Sequence, residues 1–320
     1  SHAVEGIVAA IAAAHRAYCQ RQASQDRELP TGVLFVSEIE ENNELDHRKL
    51  EAALFRRHGI ISLRRSLGQL SKIGPSALVP GRAGGPRPLL VDGVEVTVAY
   101  FRSAYWPDHY APRDECWAAR EAIEASDAAK CPSALAQLAG MKKVQQLLAE
   151  PQHLRRYVPD ALKAEDLERS FARMGDPSAS EDACVRAALA DPGSWVLKPQ
   201  VEGSGALLFD EDVAKALRSK TAEELAEFIL MERIVPPVTR SMVPRAGDGP
   251  GAVLRESVTE LGIFGVFVAD GPRPVKNEAV GHLLRSKARD TSQGGVFVGN
   301  AVLDMPLLLD ADTYWATLAG

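Results

Sequence analysis

Trp195-Val-Leu-Lys-Pro-Gln-Val-Glu-Gly-Ser-Gly205 joins an apolar run to a lysine, a carboxylate and a loop of small residues. The apolar residues at its start predict a buried strand. Lys198 places a positive charge near the end of that strand, and Glu202 offers an oxygen ligand of the kind Mg²⁺ prefers. Gly203 and Ser204 let backbone N–H groups approach phosphate oxygens closely. The combination suits a nucleotide triphosphate, although glycines after a strand more often form an ordinary turn.

The glycine spacing excludes two common nucleotide-binding loops. It does not fit the pattern G-x-x-x-x-G-K-[ST] of a Walker P-loop, and it is not a G-x-G-x-x-G run that opens a helix. A phosphate loop at this place would therefore belong to another class.

Composition limits the class of protein. The chain has 320 residues, of which 46% are hydrophobic, enough for a sizeable core and about two domains. The net charge is −6 and no block of basic residues stands out, so we expect no nucleic-acid partner. No apolar run reaches the roughly 18 residues that span a membrane. The start lacks the features of a signal peptide, so we expect a cytoplasmic protein, or an organellar one if residue 1 is a processed end.

The first part of the chain alternates strands and helices, which predicts a parallel sheet with helices packed on it. Asp92-Gly93 predicts the turn of a β-hairpin. The strand after this turn leads into Arg102 and Tyr105, at the sheet edge where open α/β sheets bind ligands. The segments concerned are the strands 33–36, 60–63 and 96–101 and the helix 45–57.

The second part of the chain mixes helices with strands that we expect to be antiparallel. We place a domain boundary near Cys131-Pro132, which gives an α/β domain at 1–131 and a domain with an antiparallel sheet at 132–320. One long helix is predicted at 133–149. The predicted strands are 195–199, 207–210, 228–234, 253–269 and 281–287.

Further cations accompany Lys198. Lys142-Lys143 lies near the start of a predicted helix, and Lys287 ends a predicted strand beside Arg285. Several cations around a carboxylate and glycine loops would suit a polyphosphate and its metal. For any single lysine, a solvated surface position is the simpler interpretation.

Six segments, in this order and spacing, carry a more specific signal. They are Ala128-Ala-Lys-Cys-Pro132, Gln137-Leu-Ala-Gly-Met-Lys-Lys-Val-Gln-Gln146, Val196-Leu-Lys-Pro-Gln200 with Glu202-Gly203, Leu230-Met-Glu-Arg-Ile234, Thr259-Glu-Leu-Gly-Ile-Phe-Gly-Val266, and Val280-Gly-His-Leu-Leu-Arg-Ser-Lys287 followed by Gly294-Gly295 and Ala301-Val-Leu-Asp304. Together they resemble eukaryotic-type glutathione synthetase, an ATP-grasp ligase, from about residue 30 to residue 306. The resemblance implies that 1–131 is the substrate-binding α/β domain and that 132–320 is the C-terminal part of the ATP-grasp domain.

The resemblance also implies a role for each matching residue. The nucleotide would be bound at its phosphates by Lys142, Lys198, Gly203 and Ser204, at its adenine by Met231, Glu232 and Ile234, and elsewhere by Glu260 and Lys287. Glu202 would hold Mg²⁺. The substrate γ-glutamylcysteine would be bound by Arg102, Tyr105 and Arg285, with Val296 and Phe297 in the loop that closes over substrate. Arg285 would hold a substrate carboxylate as a catalytic-site residue, a task that suits a guanidinium.

The implied reaction joins γ-glutamylcysteine to glycine. ATP phosphorylates the γ-glutamylcysteine carboxylate, and the glycine amine attacks the acyl phosphate. The protein must position the partners, neutralise phosphate charge and exclude water. Because the family has an N-terminal part that this sequence lacks, we expect a homodimer or association with a separate N-terminal segment.

Several ligand positions depart from the family pattern. Glu38 stands where the family has an amide, and the loop after Glu202 ends in Ala206-Leu207 in place of polar groups. Gln293 replaces an acid and Phe297 replaces a small residue. Two interpretations stay open at this point: a glutathione-synthetase-like ligase, or a catalytically degenerate relative that acts as a structural or regulatory subunit. A ligase with another acceptor amine is a further alternative, suggested by Phe297 and Glu38.

Overall fold

Within its described residues, the chain folds into helices and three β-sheets. This computed structural model describes residues 2–22, 29–80, 85–200, 207–244, 253–291, 296, 299, 301–306 and 310. The helices are α1 (Ala3–Arg21), α2 (Glu44–His58), α3 (Leu67–Ile73), α4 (Pro75–Leu78), α5 (Arg113–Ala125), α6 (Ala134–Ala139), α7 (Lys142–Leu148), α8 (Pro151–Tyr157), α9 (Ala161–Ser170), α10 (Ala183–Ala190), α11 (Glu211–Ser219) and α12 (Ala222–Ala226). The strands are β1 (Thr31–Val36), β2 (Ile61–Arg65), β3 (Leu89–Val91), β4 (Val94–Phe101), β5 (Ala129–Cys131), β6 (Met174–Gly175), β7 (Trp195–Pro199), β8 (Leu208–Phe209), β9 (Phe228–Glu232), β10 (Thr239–Met242), β11 (Leu254–Asp270), β12 (Arg273–Ala288) and β13 (Val302–Asp304).

The first sheet is built on β1 and β4. Strand β1 pairs in parallel with β2 and with β4, and β4 pairs in parallel with β5. Strand β3 is antiparallel to β4 across a tight turn, where Asp92 has φ 51° and Gly93 has φ 76°. Two successive left-handed residues are typical of the short turn that joins twisted hairpin strands. The predicted parallel sheet and hairpin are therefore confirmed.

Both faces of strand β1 are covered. In β1, every residue from Gly32 to Val36 is buried, as expected for a parallel strand between layers of helices. Leu34 and Val36 pack with Leu67 and Leu70 of α3 and with Ile123 of α5 in one hydrophobic cluster. This packing fixes the carboxyl edge of the sheet, where Arg102 follows β4.

The second sheet has the order β6-β9-β7-β8, and all its pairs are antiparallel. Trp195 and Leu197 of β7 and Leu230 of β9 share one face. That face packs on Val185 of α10 and Val213 of α11. The sheet therefore packs on α10, which precedes β7, and on α11, which lies between β8 and β9 in the sequence.

The third sheet has the order β10-β11-β12-β13 and is also antiparallel. Its centre is the long hairpin of β11 and β12. Helix α1 contacts β12 at Gly6, where an added Cβ would lie 2.1 Å from the Cβ of Val280. Only glycine fits at this approach. The expected antiparallel sheets of the second part are confirmed.

The chain packs as two compact units. Residues 18–44 and 59–235 form one, which contains the first two sheets, and residues 1–17, 45–58 and 236–320 form the other, which contains the third. The predicted boundary near Cys131-Pro132 stays a prediction about domains. Among the described residues, the structure has no helix with the length and apolar character needed to cross a membrane.

The predicted helix 133–149 is wrong as a single element. Helix α6 ends at Ala139, and α7 begins at Lys142 after Met141, whose backbone is extended. Gly140 closes α6, and glycine is a poor residue for a helix interior and a favoured one at a helix end. The break places Lys142 and Lys143 at the beginning of a helix of their own.

Candidate functional site

Two of the predicted substrate residues, Arg102 and Tyr105, lie on a loop at the carboxyl edge of the first sheet. Arg102 directly follows β4. The backbone N–H groups of Arg102 and Ser103 donate to the carbonyl of Val36, at distances of 2.7 and 3.1 Å. Because Val36 ends β1, these bonds fix the start of the loop to the neighbouring strand.

Ala104 gives this loop its shape. Its φ of 67° is left-handed, which is uncommon for a residue with a Cβ. Its N–H donates to Nδ1 of His109 at 3.0 Å. Its carbonyl accepts from the Tyr110 hydroxyl at 3.1 Å and from Nε2 of Gln137 at 3.2 Å. These three contacts hold a strained backbone. No feature of the sequence indicates them, since alanine carries no turn signal.

The side chains of Arg102 and Tyr105 both contact aromatic or imidazole rings at this edge. Tyr105 is 50% exposed, and its ring meets His109 edge to face at 4.9 Å. The Arg102 guanidinium lies over the ring of Tyr100 at 5.9 Å, and burial raises the pKa of that tyrosine. The loop therefore presents one exposed aromatic ring and one guanidinium that rests on another ring.

Buried hydroxyls accompany Arg102. Ser37, which follows β1, and Ser103, which follows Arg102, are only 1% and 3% exposed. Neither hydroxyl has a hydrogen-bond partner in the part of the chain that the structure describes, and Oε1 of Glu38 also lacks one there. Buried polar groups are usually paired, so such a group calls for an explanation. A polar ligand at this edge would supply partners.

The predicted nucleotide residues of the second sheet do not share one face. Lys198 of β7 pairs with Ile229, and Met231 of β9 pairs with Val196, so Lys198 and Met231 lie on the same face. Glu232 pairs with Trp195 and lies on the opposite face. There its carboxylate contacts Nε of Arg173 at 3.2 Å.

Ile234 follows the end of β9 and is 67% exposed. Ile229 and Leu230 point to opposite faces of β9 and are both buried, whereas Phe228, Met231 and Glu232 are half-buried. Ile234 thus offers an apolar side chain at the open end of the sheet.

Gln200 joins the end of β7 to the beginning of α7. Its Oε1 accepts from the backbone N–H of Lys143 at 3.1 Å. Lys142, the first residue of α7, is therefore close to the strand that carries Lys198. Nε2 of Gln200 is buried and has no hydrogen-bond partner within the described ranges. A buried donor between two predicted phosphate-binding lysines fits an anionic oxygen ligand, and sequence reasoning missed it because glutamine alone is no signal.

Lys143 has a structural partner. Its Nζ lies 3.1 Å from Oδ1 of Asp176, which also accepts from the backbone N–H and the hydroxyl of Ser178. Partial burial acts to raise the pKa of Asp176, but the bonds from Ser178 and the charge of Lys143 outweigh it and lower that pKa below its ordinary value. Lys143 therefore serves the packing of α7, and Lys142 remains the candidate for the ligand.

We expect Asp176→Asn to remove an acid-sensitive part of the stability. Because the folded-state pKa is lowered, the carboxylate stabilises the fold at neutral pH and loses that effect as the pH falls through the lowered pKa. At pH 7 the free energy of unfolding of the variant should be lower by about 1 kcal/mol or less, because the pair is partly exposed. The melting temperature should fall slightly as a result. The difference should shrink below about pH 4. Thermal melts from pH 7 to pH 3 measure it, and a constant difference would contradict this assignment.

The third sheet brings three predicted site residues onto one face. Glu260 and Arg285 are directly opposite on β11 and β12, and their side chains form an ion pair. Lys287 lies two residues after Arg285 and therefore points to the same side of the sheet. Arg285 and Glu260 are 40% and 66% exposed, so solvent weakens their attraction and a ligand carboxylate could compete for the arginine.

Several predicted residues cannot be placed. Glu202, Gly203, Ser204 and Phe297 lie outside the described residues. Val296 is described and half-buried, and its carbonyl accepts from Gly299 at 3.1 Å. Within the described ranges, no group of three or more His, Cys, Asp or Glu side chains could hold a metal ion. The predicted Mg²⁺ ligand thus stays a prediction from sequence.

Comparison with known proteins gives a family. The model described as eukaryotic glutathione synthase, ATP binding domain, matches residues 1–308. A glutathione synthetase from Xenopus laevis is 40% identical over 312 residues, which cover 96% of this chain and 61% of the relative. Glutathione synthetase from Homo sapiens is 41% identical over 86% of this chain and 56% of its own length. The chain thus spans about three-fifths of these relatives.

A solved structure supports the fold. It is a glutathione synthetase-like effector from Globodera pallida in its apo form, with a TM-score of 0.65 at 18% identity. The match covers 93% of this chain and 61% of that one. At this level of identity the similarity concerns the architecture alone.

Proposed function

The chain belongs to the eukaryotic glutathione synthase family, and on that premise we propose that it binds ATP and acts in the ATP-dependent ligation of γ-glutamylcysteine and glycine. The reaction proceeds through an acyl phosphate on the γ-glutamylcysteine carboxylate. The glycine amine then displaces phosphate and forms the amide bond.

One observation carries the ATP-binding part of the proposal. Gln200 brings the beginning of α7, with Lys142, to the end of β7, with Lys198, and its own amide N–H₂ is buried with no partner in the described part of the chain. Two cations and an amide donor suit the oxygens of a polyphosphate. Met231, on the Lys198 face, and the exposed Ile234 offer apolar contacts for a purine base.

The loop after β4 supports binding of γ-glutamylcysteine. Arg102 offers a guanidinium for a carboxylate, and Ser37 and Ser103 offer buried hydroxyls beside it. A peptide-like substrate with carboxylate, amine and amide groups would pair these atoms. Arg285 supplies a second guanidinium for a substrate carboxylate, and Glu260 and Lys287 would contact the nucleotide.

The protein's part in the chemistry is positioning and charge neutralisation. Fixed lysine charges stabilise the phosphoryl group as it is transferred, and the arginines orient the carboxylate that receives it. Glu202 would hold Mg²⁺, which would neutralise phosphate charge, and Gly203 and Ser204 would lie beside the phosphates. Val296 and Phe297 would line the loop that closes over substrate.

Assembly and location are parts of the proposal too. We propose a substrate-binding domain at 1–131 and the C-terminal part of an ATP-grasp domain at 132–320. The active form would be a homodimer or a complex with a separate N-terminal segment. The expected location is the cytoplasm, with an organelle as the alternative.

The second interpretation, a degenerate subunit without turnover, is not favoured. The relatives that match most of this chain are named glutathione synthetases. Lys142, Lys198 and Arg285 also supply the positive charges that the proposed ligation needs.

Two measurements on the protein test the proposed function. Calorimetry with Mg-ATP should show binding, and coupled ADP release should require γ-glutamylcysteine and be fastest with glycine in a panel of amines. No heat with Mg-ATP would contradict the ATP site. A faster rate with another amine would show that Phe297 and Glu38 have changed the acceptor.

A further inference from the structure

We propose that Gln137 is a positioning residue that couples binding of γ-glutamylcysteine to binding of ATP. The inference rests on the proposed function, because it assigns γ-glutamylcysteine to the loop after β4 and ATP phosphates to the end of β7. Gln137 belongs to α6 and touches neither predicted group of ligand-binding side chains directly. Its effect passes through the backbone of Ala104.

The first link is the hydrogen bond from Nε2 of Gln137 to the carbonyl of Ala104, at 3.2 Å. Ala104 lies between Arg102 and Tyr105 and has a left-handed backbone. A strained residue keeps its conformation only while surrounding contacts hold it. Loss of the Gln137 donor would leave that carbonyl, among the described residues, with the Tyr110 hydroxyl as its donor and would let the loop relax.

The second link fixes α6 itself. The backbone N–H of Ala134, the first residue of α6, donates to Oε1 of Glu124 at 3.0 Å. The same oxygen accepts from Nε and Nη2 of Arg120, whose side chain is 4% exposed. The Arg120 guanidinium also stacks on Phe101, with 3.8 Å to the ring centroid. A partly buried ion pair thus joins the beginning of α6 to the last residue of β4.

The third link runs from α6 to the nucleotide side. Only Gly140 and Met141 separate α6 from α7, and α7 begins with Lys142. The first turn of α7 is attached to Gln200, two residues after Lys198. Helix α6 therefore connects the Ala104 loop, through Gln137, to Lys142 and Lys198, through the beginning of α7.

The energetic consequence is reciprocal. If ATP orders α7 and α6, Gln137 is held against Ala104 and less ordering remains for γ-glutamylcysteine to bring about. By linkage, γ-glutamylcysteine then raises the affinity for ATP by the same factor. Without the donor at residue 137, each ligand should bind as if the other were absent.

The test uses two isosteric changes. Gln137→Glu keeps the size of the side chain but removes the donor and opposes a carboxylate to the Ala104 carbonyl. Gln152→Glu is the matched control, because this exposed side chain on α8 contacts Glu150 and no part of the loop. Calorimetry measures the affinity for γ-glutamylcysteine with and without saturating AMPPNP in the unsubstituted protein and both variants. Hydrogen exchange of the peptide 102–110 reports on the loop without any ligand.

We expect AMPPNP to raise the affinity for γ-glutamylcysteine about fivefold or more in the unsubstituted protein and in Gln152→Glu. In Gln137→Glu the ratio should fall close to one, and exchange in 102–110 should be faster. Equal ratios in all three proteins, or a ratio of one in the unsubstituted protein, would overturn the coupling while both ligands still bind. Absence of binding by either ligand would instead overturn the proposed function, and the coupling with it; unchanged exchange in Gln137→Glu would overturn the structural link alone.

Discussion

Lys198→Met is expected to weaken binding of Mg-ATP by about 10- to 100-fold, the loss of one charge-assisted hydrogen bond to phosphate. Lys198 is half-buried on β7, and its face also carries Met231. Methionine keeps the length of the apolar stem, so the change removes charge with little loss of packing. Isothermal titration gives the affinity, and a thermal melt shows that the variant is folded.

The matched control is Lys215→Met. Lys215 is an exposed residue of α11, so its loss changes the net charge equally and removes no predicted ligand contact. Its affinity for Mg-ATP should stay within about twofold of the unsubstituted protein, since exposed charges are screened. Equal weakening by both substitutions would show a general charge effect and would remove Lys198 from the site.

Trp195→Ala is expected to lower the free energy of unfolding by about 3–5 kcal/mol. The indole is 2% exposed and packs in one cluster with Leu197 and Leu230. It also lies under the Arg173 guanidinium, at 5.1 Å from the ring centroid. Since β7 carries Lys198, the cavity should loosen the strand that holds this lysine. Denaturant unfolding measures the loss.

Trp117→Ala provides the comparison for size and chemistry. Trp117 lies on α5, is 48% exposed and stacks on Tyr110 at 4.1 Å. Its removal should destabilise the protein by about 1–2 kcal/mol. Trp117 buries less apolar area on folding than Trp195 does, and one aromatic pair is lost. A loss at Trp195 no greater than the loss at Trp117 would contradict the packing described for the second sheet.

The pattern of apolar runs was sufficient to predict the sheets. A continuous apolar run such as 33–36 can bury both of its faces only inside a sheet that is covered on both sides. Asp92-Gly93 favours the turn of a β-hairpin. The points at which helices end were harder to predict. The break between α6 and α7 follows from one glycine, and it was missed because the helical spacing continues through Gly140.

The candidate site could be predicted only where side-chain chemistry marks it. Arg102, Lys142 and Lys198 carry charges at the ends of elements, and segments of the family surround them. Side-chain chemistry did not show which face of β9 each residue occupies. Glu232 is chemically suitable as a ligand-binding residue, but strand alternation places it on the face opposite to Lys198. The support of the substrate loop by Gln137 depends on a carbonyl of Ala104, and no property of that alanine in the sequence indicates it.

The most direct test of the central claim follows an oxygen atom. γ-Glutamylcysteine labelled with ¹⁸O in the cysteine carboxylate is incubated with the protein, Mg-ATP and glycine, and the released phosphate is analysed by mass spectrometry. Ligation through an acyl phosphate transfers one labelled oxygen to each phosphate and yields γ-glutamylcysteinylglycine. Unlabelled phosphate, or no phosphate that depends on γ-glutamylcysteine, would contradict the proposed reaction.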